Sequence, residues 1–245
     1  MRWLVALGLL LAGPVWAVDC RDVAFEDHKF TLCEVDATKE ALHLFLTNPE
    51  TGRPFGNFGN VSDSLVSNGK QLLFAMNAGM YHADRSPVGH YVENGIEHSR
   101  VISTEGPGNF GLLPNGVFCV QSEAAHVIET MRFLREKPEC SFASQSGPML
   151  VIDGQLHPRF LIDSDSTYIR NGVGTSADGK TVWFAMSRAA VNFHTFGRFF
   201  KDGLKAPQAL YFDGNISRIY APALGRNDGG FPMGPIVGIV GDAPE

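Results

Sequence analysis

Two compact catalytic signatures are missing from this 245-residue chain. It contains no GxSxG nucleophile elbow and no HExxH pair, so neither a hydrolase serine nor a zincin centre is encoded locally. Cysteine is scarce: there are four, none in a CxxC pair and none clustered with histidine, which argues against structural zinc. Basic charge is also short. Lys and Arg number 20 against 26 Asp and Glu, a formal net charge of −6, whereas a nucleic-acid partner calls for a basic face. Charged residues reach only 19% while hydrophobic ones reach 44%, the balance of a globular chain and not of a disordered or fibrous one. Past the N-terminus no apolar run is long enough to span a membrane.

What is present begins at that N-terminus. Arg2 precedes the apolar run WLVALGLLLAG, then Pro14, then VWA. One positive charge, a short apolar centre and small residues at Val15 and Ala17 predict a secretory signal over residues 1–17, with a single domain over 18–245. Its removal takes away Arg2 and no acid, leaving a mature charge of −7 and all four cysteines. A periplasmic or secreted location follows, and with it a compartment that permits disulfides. Cys20, Cys33, Cys119 and Cys140 allow three pairings, of which the local one, Cys20–Cys33 with Cys119–Cys140, is expected.

Strand-like segments bounded by turn residues recur at 30–36, 42–47, 72–77, 116–121, 148–154, 181–187 and 209–214. Helical pattern is rarer. Phe193, Phe196, Phe199 and Phe200 share one face of a predicted helix over 193–202, with Asn192 to cap it and Gly203 to end it. A second, short helix is expected over 62–69 behind Ser62. The reading is strand-rich, without the βα alternation of a doubly wound fold.

Three of these strands end alike. LLFAMN runs into Asn77-Ala78-Gly79, TVWFAMS into Ser187-Arg188, and ALYFDG into Asp213-Gly214-Asn215. A polar residue followed by glycine at a strand end can present a side chain at the mouth of a sheet, with room for a ligand. Ser146-Gly147-Pro148 marks another strand entrance. Arg170 stands just before Gly172 and Gly174, and arginine grips phosphate or carboxylate at two points. The segment DSDST (163–167) lacks the glycine of a calcium loop and reads as a polar turn. His82, His90 and His194 are single and read as structural or surface residues.

Taken in order, FAMNAGMY, GNFGLLPNGVFCV, QSGPMLVIDG, IRNGVGTSADGKTVWFAMS and LYFDGNISRIY resemble the phosphodiester glycosidase family over roughly residues 70–225. That family's Asn-Gly-Gly-Phe-Phe box falls on Asn77, Ala78, Gly79, Met80 and Tyr81. Its Ser-Gly-Pro-like turn falls on Ser146, Gly147 and Pro148, and its Arg-x-x-x-Gly element on Arg170 and Gly174. Its Asp box falls on Phe212, Asp213, Gly214, Asn215, Ile216 and Ser217. Ala78, Asn215 and Ile216 stand where the family has glycine.

The resemblance implies an α+β fold with a mixed or antiparallel sheet core and a surface cavity at strand ends. It implies cleavage between a sugar's anomeric carbon and a phosphodiester oxygen, on a small-molecule or glycan substrate. No cofactor is expected, and the sequence leaves a divalent metal open. Asp213 is then the expected base or nucleophile, Arg170 the phosphate grip, and Glu93 in YVENG the second carboxylate. Asn77, Gly79, Tyr81, Ser146, Gly147, Gly174, Gly214 and Ser217 are the expected substrate-binding set. The alternative is a module that binds phosphorylated glycans or envelope polymers in the same cavity without turnover.

Overall fold

A computed structural model describes residues 18–243; the expected signal segment lies outside them. Among the described residues the strands form three antiparallel sheets. The largest has seven strands, in the order Asp19–Phe25, His28–Asp36, Thr181–Ser187, Asn171–Thr175, Gln208–Asp213, Met149–Ile152 and Gln155–Leu156. A second sheet runs Arg226–Asn227, Ile219–Ala221, Lys70–Asn77, Ile236–Asp242 and Ala41–Phe45. The third runs Ile96–Ser99, Tyr91–Glu93, Phe142–Ser146, Gly116–Val120 and Ala125–Glu129. The fold is α+β, with short helices set against the sheets.

All three sheets turn one face to a common core. Phe74 and Met76 from the second sheet, Phe118 from the third, and Phe184 and Phe212 from the first are buried in one cluster. Alternation sends Leu210 and Phe212 into that cluster, while Ala209 and Tyr211 point to the opposite face. There the Phe-rich segment covers the seven-stranded sheet. It is α-helical over Phe193–Arg198 and a π-turn over Phe199–Gly203. Asn192 caps it as expected, its side chain accepting from the Thr195 amide at 2.9 Å. The rings of Phe30 and Phe199 stack at 4.0 Å.

The other predicted helix starts earlier than its polar residues suggest. It spans Phe58–Val66, and its cap is Asn57, which accepts from the Asn60 amide at 2.8 Å. Phe58 and Val61 bury themselves at helical spacing, which outweighs the capping preference of Ser62. The third helix, Thr130–Glu136, is capped by the Glu129 carboxylate and ended by left-handed Lys137.

One glycine spacing needs structural arbitration. Gly174 to Thr181 satisfies the bare GxxxxGK[ST] pattern of a phosphate loop. It folds instead as the turn between antiparallel strands Asn171–Thr175 and Thr181–Ser187, with Asp178 accepting from Ser176 and the Lys180 amide. No helix follows, so the amides are not gathered around an anion.

Both disulfides pair locally, Cys20–Cys33 across directly opposed strand residues and Cys119–Cys140 over a separation of 21 residues. Loop closure of that size stabilises by about 3 kcal/mol. Replacing Cys119 and Cys140 with serine is therefore expected to lower stability by about that amount in urea titration, and reductant should then have a smaller effect than on the parent chain. No helix among the described residues is long and apolar enough to cross a membrane.

Candidate active site

Strand Gln208–Asp213 carries the centre of the site. Because side chains alternate, Tyr211 and Asp213 leave the same face, and both border a cavity of about 620 Å³. Tyr81, Tyr168, Gly214 and Ile216 belong to the same wall. The volume is in the range of small-ligand sites, large enough for a monosaccharide with its phosphate. A larger hollow of about 990 Å³ lies beside Cys140 and Phe133, but none of the strand-end groups discussed above borders it.

Asp213 is 9% exposed. Its Oδ1 accepts from the Gly214 amide at 2.6 Å and the Asn215 amide at 2.9 Å. Burial pushes the carboxyl pKa up, and these backbone donors pull against that shift. Among the described residues Asp213 is the single acid on the wall. No three His, Cys, Asp or Glu side chains gather among the described residues as metal ligands.

The loop that follows Asp213 is pinned by side chains from all three sheets. Asn171 donates to the Asp213 carbonyl at 2.9 Å and to Ser217 Oγ at 2.8 Å. Ser217 in turn donates to the Ile169 carbonyl at 2.6 Å. Asn77 donates to Asn171 Oδ1 at 3.2 Å and accepts from the Arg218 amide at 3.0 Å. Ser146 donates to the Phe212 carbonyl at 2.8 Å. Asn77 and Ser146 are fully buried, with their polar atoms engaged in the protein, so they position the loop and do not border the cavity. Of the segment from Asn77 to Arg85, it is Met80, Tyr81 and His82 that form wall.

The glycines divide in the same way. Gly214 is on the wall, where an added Cβ would sit 2.1 Å from the Tyr211 hydroxyl. Its missing side chain is what makes room for that hydroxyl. Gly214→Ala is expected to destabilise by about 1–3 kcal/mol through overpacking. Adding Tyr211→Phe should restore most of the melting temperature, since the hydroxyl is the severe clash and Tyr168 Cβ and Tyr211 Cζ, both at 3.3 Å, are only tight; an unrescued double variant would place the strain elsewhere. Gly79 makes room for Ser144, whose Oγ would lie 2.9 Å from a Cβ, and Gly147 packs on Asn115. Gly174 serves the hydrophobic face, with a Cβ there meeting Phe200 at 2.8 Å. The structure therefore takes Gly147 and Gly174 out of direct ligand contact, because neighbouring side chains already fill their space.

Glu93 is also apart. It ends strand Tyr91–Glu93, accepts from the Tyr91 hydroxyl at 2.9 Å, and does not border the cavity. Burial raises its pKa too, but this acid is a partner of Tyr91 and not of Asp213.

Arg170 stands behind the wall. It is fully buried and forms no ion pair within 4 Å among the described residues. Nε donates to the Val191 carbonyl and Nη2 to the Ser166 carbonyl, both at 2.8 Å. His157, Phe160 and Phe193 stack in a column, and the guanidinium carbon closes it at 3.6 Å from the Phe193 centroid. Burial disfavours the guanidinium charge, and the nearby Tyr211 and Tyr168 rings offset part of that cost. Nη1 and the Tyr211 hydroxyl are near enough to shift one another's ionisation, but among the described residues neither reaches the geometry of a full hydrogen bond. The Tyr211 hydroxyl lies between that buried charge and Gly214 of the wall, with no exposed surface of its own. Burial also drives its own pKa far up, so it stays protonated and can donate.

Sequence reasoning passed over Tyr211, Tyr168 and Asn171. Tyr211 was signalled by its two-residue offset from Asp213; Asn171 lay hidden in a glycine-rich strand. The loop Gly106–Gly111 was a further omission. It carries the bare GxGxxG spacing of a dinucleotide loop, but it neither leaves a strand nor opens a helix, and supplies Gly108, Asn109 and Phe110 to the wall instead.

Residues 70–229 match the family described as phosphodiester glycosidase (NAGPA). The chain belongs to that family. As a phosphodiester glycosidase homologue it is 35% identical over 221 residues to the uncharacterized protein YigE of Escherichia coli K12, covering 89% of this chain and 84% of that one. Two solved structures share the fold. One is a hypothetical protein from Synechocystis, with a TM-score of 0.60 at 12% identity, covering 91% of this chain and 61% of that one. The other is the catalytic domain of zebrafish N-acetylglucosamine-1-phosphodiester α-N-acetylglucosaminidase, auto-inhibited by its pro-peptide. It aligns with a TM-score of 0.56 at 14% identity, over 91% of this phosphodiester glycosidase homologue and 81% of that domain.

Proposed function

We propose that this chain is an exported hydrolase that cleaves the glycosidic bond of a sugar-1-phosphodiester, with an N-acetylglucosamine-type sugar as the first candidate. The observation that carries the reading is a cavity of sugar-phosphate size with one acid, Asp213, on its wall. Ordinary glycosidases need two carboxyl groups, one of them to protonate the departing oxygen. A phosphomonoester departs without that help, so a single carboxylate suffices for this leaving group and not for an alkoxide.

In this reading Asp213 faces the developing oxocarbenium ion, either as nucleophile or as the base that draws a proton from the attacking water. Behind Gly214, the buried Arg170 charge with the Tyr211 hydroxyl before it favours negative charge on the phosphate as it grows there. Water adds its oxygen to the anomeric carbon, and the phosphomonoester leaves with the bonding pair. Two disulfides support the exported location.

The test is turnover by the mature chain, residues 18–245, on a panel of sugar-1-phosphodiesters with free reducing sugar as readout. Release of sugar is the expected result. Stoichiometric binding without release would favour the non-catalytic module.

A further inference from the structure

Two segments that adjoin the Asp213 cavity wall have a property that sugar chemistry does not require. Leu161, Ile162, Tyr168, Ile169 and Phe231 are large apolar side chains left exposed, at 66%, 73%, 45%, 45% and 77% respectively. Burying such groups is favourable, and exposed ones that cluster mark an interaction surface. These five fall in two segments tied to the cavity wall. Tyr168 is itself wall, as is Ser166, and the Ile169 carbonyl accepts from Ser217, beside the Asp213 loop. Across from them, wall residue Tyr81 donates to the Pro232 carbonyl at 3.1 Å, next to Phe231.

The charge in these segments narrows what could cover them. Residues 160–169 and 229–234 contain no Lys or Arg, while Asp163 and Asp165 stand between the apolar side chains. The arginines that reach this rim are engaged, Arg218 donating to the Phe231 carbonyl and Arg85 lying over the Tyr81 ring. The diester's second substituent must leave the cavity across whatever borders it, and the large side chains exposed there are apolar.

Resting on the glycosidase reading, we propose that the second substituent is an uncharged long-chain alkyl or prenyl group, so that the substrate is a lipid-linked sugar phosphate. Water then displaces a lipid phosphomonoester from the anomeric carbon. The chain lies along Leu161, Ile162 and Ile169 on one side and Phe231 on the other.

The experiment compares methyl and decyl diesters of the same sugar-1-phosphate, below the micelle concentration of the decyl compound, in the parent protein and in Ile162→Ser and Phe231→Ser. The parent should prefer decyl in kcat/KM by on the order of tenfold, the effect of burying about two methylenes. Either serine variant should bring the decyl-to-methyl ratio towards one, and a ratio is insensitive to any loss of folded protein. Equal use of both diesters by the parent overturns the lipid assignment and leaves the glycosidase reading standing. A decyl preference that survives both serine variants overturns the assignment to this rim. Cleavage of neither diester, for any sugar of the panel, removes both readings.

Discussion

Asparagine at position 213 is expected to abolish sugar release to within about a thousandth of the parent rate, the scale of losing a carboxylate that acts on the reacting atoms. Asn retains an oxygen at Oδ1 for the Gly214 and Asn215 amides, so the loop has no reason to move. The pH profile supplies an independent check. Burial raises the Asp213 pKa, so kcat/KM should climb with pH through a midpoint above the ordinary aspartate value of about 4. Stability runs the other way. A carboxyl whose folded pKa lies above its unfolded one contributes fully below the unfolded value, and that contribution is lost as pH rises through the folded value. At neutral pH the ionised Asp213 is therefore a net cost to the fold. Asp213→Asn should melt no lower than the parent, while differing little from it in acid. Activity within about threefold of the parent would take Asp213 out of the chemistry. A marked fall in melting temperature at neutral pH would instead give it a structural role.

The elements that were legible beforehand are those whose pattern and packing agree. Strands 72–77, 181–187 and 209–214 are apolar and buried on both faces; the first two lie within the observed elements, and the third overruns its strand by one residue, Gly214. Asn171–Thr175 escaped notice although it is central in the seven-stranded sheet. Its glycines lower strand propensity, but Gly172 and Gly174 are there because Leu210 and Phe200 press on them. Propensity is local, whereas that crowding comes from residues distant in sequence. The site follows the same logic. Asp213, Gly214 and Tyr81 could be named from a strand-end motif because they border the cavity. Asn77 and Ser146 share the motif's polarity yet bind the loop, since the convergence of three sheets needs internal hydrogen bonds as much as a ligand does. Glu93 answers to a second carboxylate only by chemical analogy, and no sequence pattern ties it to Asp213.

Tyr211→Phe should separate catalysis from stability most cleanly. Among the described residues the hydroxyl makes no full hydrogen bond, only a loose contact with the Arg170 guanidinium, so its removal should leave the melting temperature nearly unchanged. On the proposed chemistry it carries the Arg170 charge towards the phosphate, and losing it should lower kcat by less than the roughly hundredfold that a direct donor is worth. Arg170→Met differs in kind. It leaves the Ser166 carbonyl without a donor and the Val191 carbonyl with only the Tyr168 amide, and it opens the stacked column on Phe193, which should cost about 2–4 kcal/mol of stability as well as activity. Arg170→Lys keeps the charge but cannot reproduce the planar stack or both carbonyl bonds, so it should fall between the two. Methyl phosphate, the simplest form of the leaving group, should raise the melting temperature of the parent by mass action and that of Tyr211→Phe less. If methyl phosphate stabilises both proteins equally, the hydroxyl does not carry the buried charge to the cavity, and Arg170 belongs to the packing of the Phe193 column alone.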